Sequence, residues 1–196
     1  MDGFCDLVNW VVGENGMPDA SVYVRNNLEL PGFFRPTKKW DLIVVHRDHL
    51  VAAVEFKSLV GPSFGNNFNN RTEEDLGNAI DLWTAFREGA FGTDRPRPWV
   101  GWIMFLEDCP GSTSPVGVCE PHFKVFNEFS NTSYARRYEL LLRKLILEKH
   151  YDGAALIMST RADAISGKFH EPATDLTMRR VLAGIGGHVQ EFLGAE

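Results

Sequence analysis

Two apolar segments, residues 40–46 and 50–57, stand in the first third of the chain and are separated only by Arg47-Asp48-His49. Both are rich in Val, Ile and Leu, and with the short polar stretch between them they predict a β-hairpin. Apolar side chains fall on both faces of each segment, so we expect the hairpin to lie inside a sheet that is covered on two sides. The rest of the chain must therefore supply a covering layer for each face.

The remaining segments provide those layers. Helical spacing of apolar residues predicts a helix from Phe4 to Val11, and residues 61–71 match no regular element, whereas Thr72 with Asp75 resembles a capping box. In chain order we predict a helix at 4–11, strands at 20–25, 40–46 and 50–57, a helix at 72–88, a strand at 99–106, an irregular stretch at 108–133, a helix around 138–146, a strand at 154–159 and a helix at 178–192. This order indicates one α/β domain, 1–196, with a mixed sheet flanked by helices.

The composition narrows the function. The net charge of −6 argues mildly against a pure DNA-binding module, but not against a metallonuclease, which needs carboxylates to hold cations. The three cysteines include no CxxC pair and are expected to be free thiols in a reducing compartment. No signal peptide and no apolar run of membrane-spanning length is present, so we expect a soluble, cytoplasmic protein.

The hairpin brings three charged side chains together. If its turn is centred on Asp48, the numbers of paired residues sum to 96, and Asp41 lies opposite Glu55. Side chains alternate between the two faces of a strand, so Lys57 shares the face of Glu55. Two carboxylates and an ammonium group would then converge among apolar strands.

Opposed buried carboxylates repel each other, and a folded protein resolves this by sharing a proton, by pairing with Lys57 or by binding a cation. Mg²⁺ suits the last case, with Asp41, Glu55 and the backbone carbonyl of Phe56 as ligands and waters that a substrate phosphate can replace. The cation would lower the pKa of a bound water, and Lys57 would orient that water or stabilise charge on the phosphate. The alternative is a purely structural salt bridge of Lys57 with one carboxylate.

A known family shows these residues in this order. Trp40-Asp41-Leu42 followed by Val54-Glu55-Phe56-Lys57-Ser58 resembles the PD-(D/E)XK nuclease motif, although Pro36 is separated from Asp41 by four residues. The longer stretch 54–71, VEFKSLVGPSFGNNFNNR, is more specific and resembles the XhoI family of type II restriction endonucleases. Residues 31–38 and 143–149 add to the similarity, which covers essentially the whole chain.

The resemblance implies a restriction-endonuclease-like core with Asp41, Glu55 and Lys57 as catalytic residues and Mg²⁺ as cofactor. It implies a homodimer that binds double-stranded DNA at the palindrome CTCGAG and cuts both strands, leaving 5′-phosphate ends. A cognate DNA methyltransferase would act on the same site without a stable complex. Because family members begin some tens of residues further upstream, we expect this nuclease domain to lack an N-terminal segment.

Candidate DNA contacts flank the catalytic residues. Asn suits adenine edges and Arg suits guanine edges, and the predicted 61–71 loop starts close to Lys57; an Asn-rich turn is the alternative. The helix predicted from Thr72 could also present backbone N–H groups to a phosphate. Three cations before Asp41 are candidate phosphate clamps, with a solvated loop as the alternative. The predicted DNA-binding residues are Arg35, Lys38, Lys39, Ser63, Asn66, Asn67, Asn69, Asn70 and Arg71.

Two questions stay open at this point: the role of four cations on one predicted helix, and the class of protein. Arg136, Arg137, Arg143 and Lys144 lie on one predicted helix, and a DNA-facing stripe and a solvated face explain them equally well. The rivals of a restriction enzyme are a repair or junction nuclease of the same superfamily, a catalytically weak fold that only binds DNA, and an interaction protein that ignores DNA.

Overall fold

The computed structural model describes residues 2–92 and 96–195. In that part of the chain the helices are α1 (Asp2–Glu14), α2 (Phe64–Arg87), α3 (Pro110–Thr113), α4 (Tyr134–Leu147), α5 (Arg161–Ile165) and α6 (Met178–Gly194), with a 3-10 turn at Asn127–Phe129. The strands are β1 (Ser21–Tyr23), β2 (Glu29–Pro31), β3 (Thr37–Lys39), β4 (Leu42–His46), β5 (His49–Leu59), β6 (Trp99–Glu107) and β7 (Gly153–Ser159).

The central sheet has five strands in the order β1-β4-β5-β6-β7. β1, β4 and β5 are antiparallel neighbours, whereas β5, β6 and β7 run parallel and are joined by crossovers that contain α2 and α4. Residues of α2 and α4 pack on one face of the sheet, and residues of α1 and α6 pack on the other. This confirms the predicted mixed sheet flanked by helices. β2 and β3, for which the sequence predicts no strands, form a separate two-stranded hairpin.

The β4–β5 hairpin was predicted correctly, although its turn differs. Arg47 and Asp48 form a two-residue turn with φ of 47° and 63°, the left-handed conformation that suits a tight hairpin. The pairing then shifts by one residue, because Val51 of β5 is an extra, bulged residue between the pairs made by Val44 and Val45. Beyond the bulge the ladder has the predicted register and ends at Leu42 opposite Val54.

The assignment of residues 61–71 as irregular was wrong, because α2 begins at Phe64. Glycine and asparagine weaken a helix, but packing overrides this preference here. The ring of Phe68 stands edge-on to that of Tyr138, with centroids 5.1 Å apart. Thr72 is not a cap, since its hydroxyl donates to the carbonyl of Phe68 inside the helix. No helix N-terminus therefore exists at residue 72 to receive a phosphate.

Two other expectations concern the rest of the chain. Cys109 and Cys119 are free thiols. Among the helices of residues 2–92 and 96–195, none combines the length and apolar character needed to cross a membrane.

Candidate active site

β5 aims two charged side chains at the helical layer formed by α2 and α4. Ala53 and Leu59 on the same strand belong to the apolar cluster on that side, and Glu55 and Lys57 share their face because side chains alternate. Val54 and Phe56 belong to the cluster on the opposite side. The surrounding side chains leave Glu55 only 3% exposed.

Asp41 lies one residue before β4, where the regular pairing with β5 ends. Its Oδ2 accepts a hydrogen bond of 2.8 Å from the backbone N–H of Phe56. In a strand the N–H and C=O of one residue point towards the same neighbouring strand, so the carbonyl of Phe56 also faces the Asp41 side. The carboxylate of Asp41 is thereby held beside the Glu55–Phe56 peptide.

Two ammonium groups neutralise the Glu55 carboxylate. Lys57 Nζ lies 2.5 Å from Oε1, and Lys38 Nζ on β3 lies 2.9 Å from Oε2. Burial opposes the charged form of Lys57, but the charge and hydrogen bond of Glu55 outweigh it and raise the Lys57 pKa. Lys38, predicted as a phosphate clamp, is therefore placed against the carboxylate of Glu55.

The donor set fits a hard cation with few protein ligands. Within the described residues no group of three or more His, Cys, Asp or Glu side chains could hold a metal ion. Mg²⁺ needs fewer, since it uses one or two carboxylates and keeps waters or substrate phosphate oxygens in its other positions. The two ammonium groups at Glu55 show that this buried carboxylate attracts positive charge. Asp41, Glu55 and the Phe56 carbonyl therefore fit Mg²⁺ once an ammonium group leaves Glu55.

Asp75 on α2, which the sequence predicts only as part of a helix cap, is a buried carboxyl. It is 0% exposed, and neither of its oxygens has a hydrogen-bond partner among the described residues. Burial raises its pKa to about 8, an effect that Lys57 lessens and Glu55 increases. A pKa of about 8 keeps Asp75 mostly protonated at neutral pH. Asp75 lies close enough to Glu55 and Lys57 for both charges to shift its pKa.

Asp81, six residues further along α2, attaches the β2–β3 hairpin to the helix. Its Oδ1 accepts the N–H groups of Phe33 and Phe34 at 2.7 and 2.8 Å, and its Oδ2 accepts Arg35 Nε at 2.8 Å. Burial opposes ionisation, yet these donors together lower the Asp81 pKa. Arg35, predicted to contact phosphate, is anchored here and also donates to Asn78.

A signal for these residues exists in the sequence. Asp75, Asn78 and Asp81 recur every three residues among apolar residues, so they occupy neighbouring positions on one side of a helix. A helix with polar side chains on its buried side is unusual, because such groups need partners there. That pattern points to polar partners contributed by another element.

The family model of restriction endonuclease XhoI matches residues 1–171 of the chain. The chain belongs to this family. It is 50% identical over 194 residues to the type II restriction enzyme BstVI of Geobacillus stearothermophilus, which covers 96% of this chain and 86% of BstVI. It is 55% identical over 150 residues to XhoI of Xanthomonas vasicola, covering 76% of this chain and 60% of XhoI, and 58% identical over 125 residues to AbrI of Azospirillum brasilense, covering 63% and 56%. No solved structure matches it.

Membership in the XhoI family makes the chain a DNA endonuclease of the type II restriction class, with the restriction-endonuclease-like fold that the sequence predicted. The family does not by itself assign roles to individual residues. Those roles rest on the geometry described above.

The predicted DNA-binding residues of the 61–71 segment lie on the first turns of α2. Ser63 occupies the N-cap, and Asn66, Asn69 and Asn70 are exposed on the helix surface. Asn67 donates to the carbonyl of Ser63. Arg71 pairs with Glu74, whose carboxylate lies 3.8 Å from Lys57 Nζ. The structure thus brings Arg71 near Lys57 and leaves the three asparagines exposed to solvent. Lys39 is exposed on β3.

The arginines of α4 are occupied by partners within the protein. Arg143 donates to both carboxylate oxygens of Asp175, at 2.7 and 2.8 Å, and also to Glu139. Arg136 pairs with the same Glu139, and Arg137 donates to the carbonyl of Val116. For Arg137 and Arg143 these contacts argue against a DNA-facing role. Arg136 and Lys144 pair only with residues one turn away, which decides between neither explanation.

Proposed function

We propose that this member of the XhoI family is a Mg²⁺-dependent enzyme that cuts both strands of double-stranded DNA at CTCGAG and leaves 5′-phosphate ends. The observation that carries the metal dependence is the buried carboxylate of Glu55, held between two ammonium groups beside Asp41. The sequence CTCGAG rests on the family resemblance and on no residue of the site.

The residues of the site have separate roles in this proposal. Asp41, Glu55 and the Phe56 carbonyl would hold the cation, and the hydrogen bond from the Phe56 N–H keeps Asp41 in position. When bound, Mg²⁺ supplies charge neutralisation at the scissile phosphate and a more acidic water. Lys57, which pairs with Glu55, would give up part of that contact to a bound cation, and its ammonium group would then orient the attacking water and stabilise developing charge.

Sequence readout is assigned to the exposed side chains at the start of α2. Asn66, Asn69 and Asn70 carry paired donors and acceptors that match the major-groove edge of adenine. Lys39 contacts a phosphate, which positions the duplex without reading it. A palindrome presents two identical half-sites, so we also propose a homodimer with matching twofold symmetry.

The cellular setting follows from the same proposal. The enzyme works in the cytoplasm, where its DNA substrate is. A cognate methyltransferase modifies the same sequence without a stable complex with this chain.

The experiment is digestion of a plasmid that carries one CTCGAG site, in Mg²⁺ and in EDTA, alongside a plasmid in which the site is mutated. We expect one linear product that requires both Mg²⁺ and the site. Preferred cutting of branched DNA would favour a repair nuclease. Tight DNA binding without any Mg²⁺-dependent nicking would favour a catalytically weak DNA-binding fold.

A pair of variants tests the site itself. Glu55→Gln keeps the shape of the side chain but removes the charge that holds a cation, so we expect cutting to be lost while DNA binding remains. Glu73→Gln changes an exposed carboxylate on α2 and should cut normally. Undiminished cutting by Glu55→Gln would remove Glu55 from the catalytic set.

A further inference from the structure

The tip of the β2–β3 hairpin exposes two neighbouring aromatic rings. Phe33 is 54% exposed and Phe34 is 70% exposed, and the rings contact each other edge-to-face with centroids 5.3 Å apart. Large apolar side chains paired in this way at a loop tip are the kind of surface that marks a binding site.

The backbone beneath the rings is held firmly. The N–H groups of both phenylalanines bond to Asp81, which is 3% exposed. Gly32 allows this close approach, because a Cβ there would lie 2.4 Å from Asp81 Oδ2 and 2.7 Å from the carbonyl oxygen of Arg35. Asp81 of α2 therefore already holds the tip in place. Binding through the two rings would cost little further ordering of this backbone.

The same hairpin reaches the catalytic carboxylate. Lys38 on β3 donates to Glu55 and is only a few residues from the tip. On the other side, Phe34 and Glu74 line one groove across Gly77 of α2, and Glu74 lies 3.8 Å from Lys57 Nζ. The groove thus runs from the ring of Phe34 to Glu74, and Glu74 lies beside Lys57.

The hairpin carries cations beside its rings. Arg35, Lys38 and Lys39 follow the two phenylalanines within six residues, although the whole chain has a net charge of −6. Arg35 bonds to Asp81 and Lys38 to Glu55, so the exposed Lys39 and the partly exposed Arg35 are the charges that a phosphate can reach. Aromatic rings among cations are typical of surfaces that contact bases and phosphates together.

We propose that Phe33 and Phe34 form an apolar wedge that enters a base step of the bound duplex beside the scissile phosphate and partly unstacks it. Wedges of this kind use apolar side chains to open a step, and the resulting bend brings more of the duplex against the protein. The proposal rests on the proposed function, because it takes the duplex to lie over Glu55 and Lys57.

The test replaces each ring and follows the DNA directly. The duplexes contain CTCGAG, with the fluorescent base 2-aminopurine placed in turn at positions inside and beside the palindrome, and binding is measured in EDTA. With the wild-type protein we expect fluorescence to rise at one or two adjacent positions. Phe33→Ala and Phe34→Ala should lose that rise and bind the duplex roughly tenfold to a hundredfold more weakly, a range that corresponds to stacking on one base.

Both variants keep the backbone N–H groups that bond to Asp81, so they are expected to fold, and their thermal midpoints check this. Phe34→Trp should restore the signal. The matched control is Phe169→Ala, which removes an equally exposed ring, 57%, on the segment after α5 and should leave binding and fluorescence unchanged.

The outcomes separate the two proposals. If the wild-type enzyme cuts CTCGAG but Phe33→Ala and Phe34→Ala bind with wild-type affinity, the wedge is refuted and the restriction activity stands. If these variants become monomers in sedimentation while the wild type is a dimer, the rings belong to a subunit interface, and the wedge is again refuted. If the wild type neither binds nor cuts duplex DNA, both proposals fall.

Discussion

Replacing the buried carboxyl Asp75 with its uncharged isostere should stabilise the protein and change how its stability depends on pH. The folded-state pKa of Asp75 is raised from 3.8 to about 8 by burial. Between these two values the unfolded chain has lost the proton and the folded chain still holds it, so folding stability falls as pH rises. Below pH 4 this penalty is absent, and above pH 8 it is complete.

The size of the stability penalty follows from the difference between the working pH and the ordinary pKa of Asp. At pH 7, about three units above the ordinary value of 3.8, the penalty is roughly 4 kcal/mol at about 1.4 kcal/mol per unit. Asp75→Asn removes this term but leaves an amide without hydrogen-bond partners, which costs about 1–3 kcal/mol. We therefore expect a net gain of roughly 1–3 kcal/mol at pH 7, and an advantage that grows by about 1.4 kcal/mol per pH unit between pH 5 and 7.

Urea unfolding at several pH values measures this advantage, in EDTA so that Glu55 and Lys57 keep the pairing described here. Asp175→Asn is the matched control, because Arg143 lowers the pKa of Asp175 to about 2. Both states of that carboxyl are ionised at pH 5–7, so its effect on stability should not change across this range. If the wild-type and Asp75→Asn curves run parallel in pH, Asp75 is not protonated in the folded protein and the reasoning fails.

Three further predictions concern contacts around the site. Lys38→Ala should lower the free energy of unfolding in EDTA by about 1–3 kcal/mol, because Glu55 loses a buried partner. The control Lys39→Ala should leave urea unfolding unchanged. Equal losses in the two variants would contradict the Lys38–Glu55 contact. Asp81→Ala should destabilise the protein at pH 7, and the loss should shrink as the pH falls below the ordinary Asp value of 3.8 towards the lowered pKa of Asp81, because that carboxyl confers this stability only while it is ionised. A loss that stays the same at pH 7 and in acid would argue against this. Arg143→Ala should reduce the thermal midpoint but keep duplex DNA affinity within about twofold, and a large loss of affinity would restore the DNA-facing explanation.

The parts of the fold that local chemistry determines could be predicted from the sequence. β4, β5, β6 and β7 are runs of branched and aromatic residues, and they form strands where expected. The stripe of α6, with Ile185, Val189 and Phe192 almost fully buried, also forms as its helical spacing predicts. These elements can be recognised locally, because the spacing of their apolar residues is compatible with only one kind of secondary structure.

The start of α2 could not be predicted for the opposite reason. Its glycine and asparagines favour turns when considered alone, and only the aromatic residues of α4 make a helix there the more stable choice. Gly65 is part of that packing, since a Cβ at this position would lie 2.5 Å from the hydroxyl of Tyr134. Such a contact depends on a residue about seventy positions away in the chain, and no local pattern contains it.

Asp41 lies beside β5 as predicted, although the hairpin turn is shorter than the prediction assumed. A turn of two residues instead of three would by itself have moved Asp41 one position along β5, and with it to the wrong face. The bulge at Val51 compensates, because one extra residue on β5 restores the pairing of Leu42 with Val54. The hydrogen bond between Asp41 and the N–H of Phe56 then takes the place of the next ladder bond. The polar end of the hairpin is thus fixed by a side chain that the proposed chemistry also needs, so a change at Asp41 alters the end of the β4–β5 pairing and the site together.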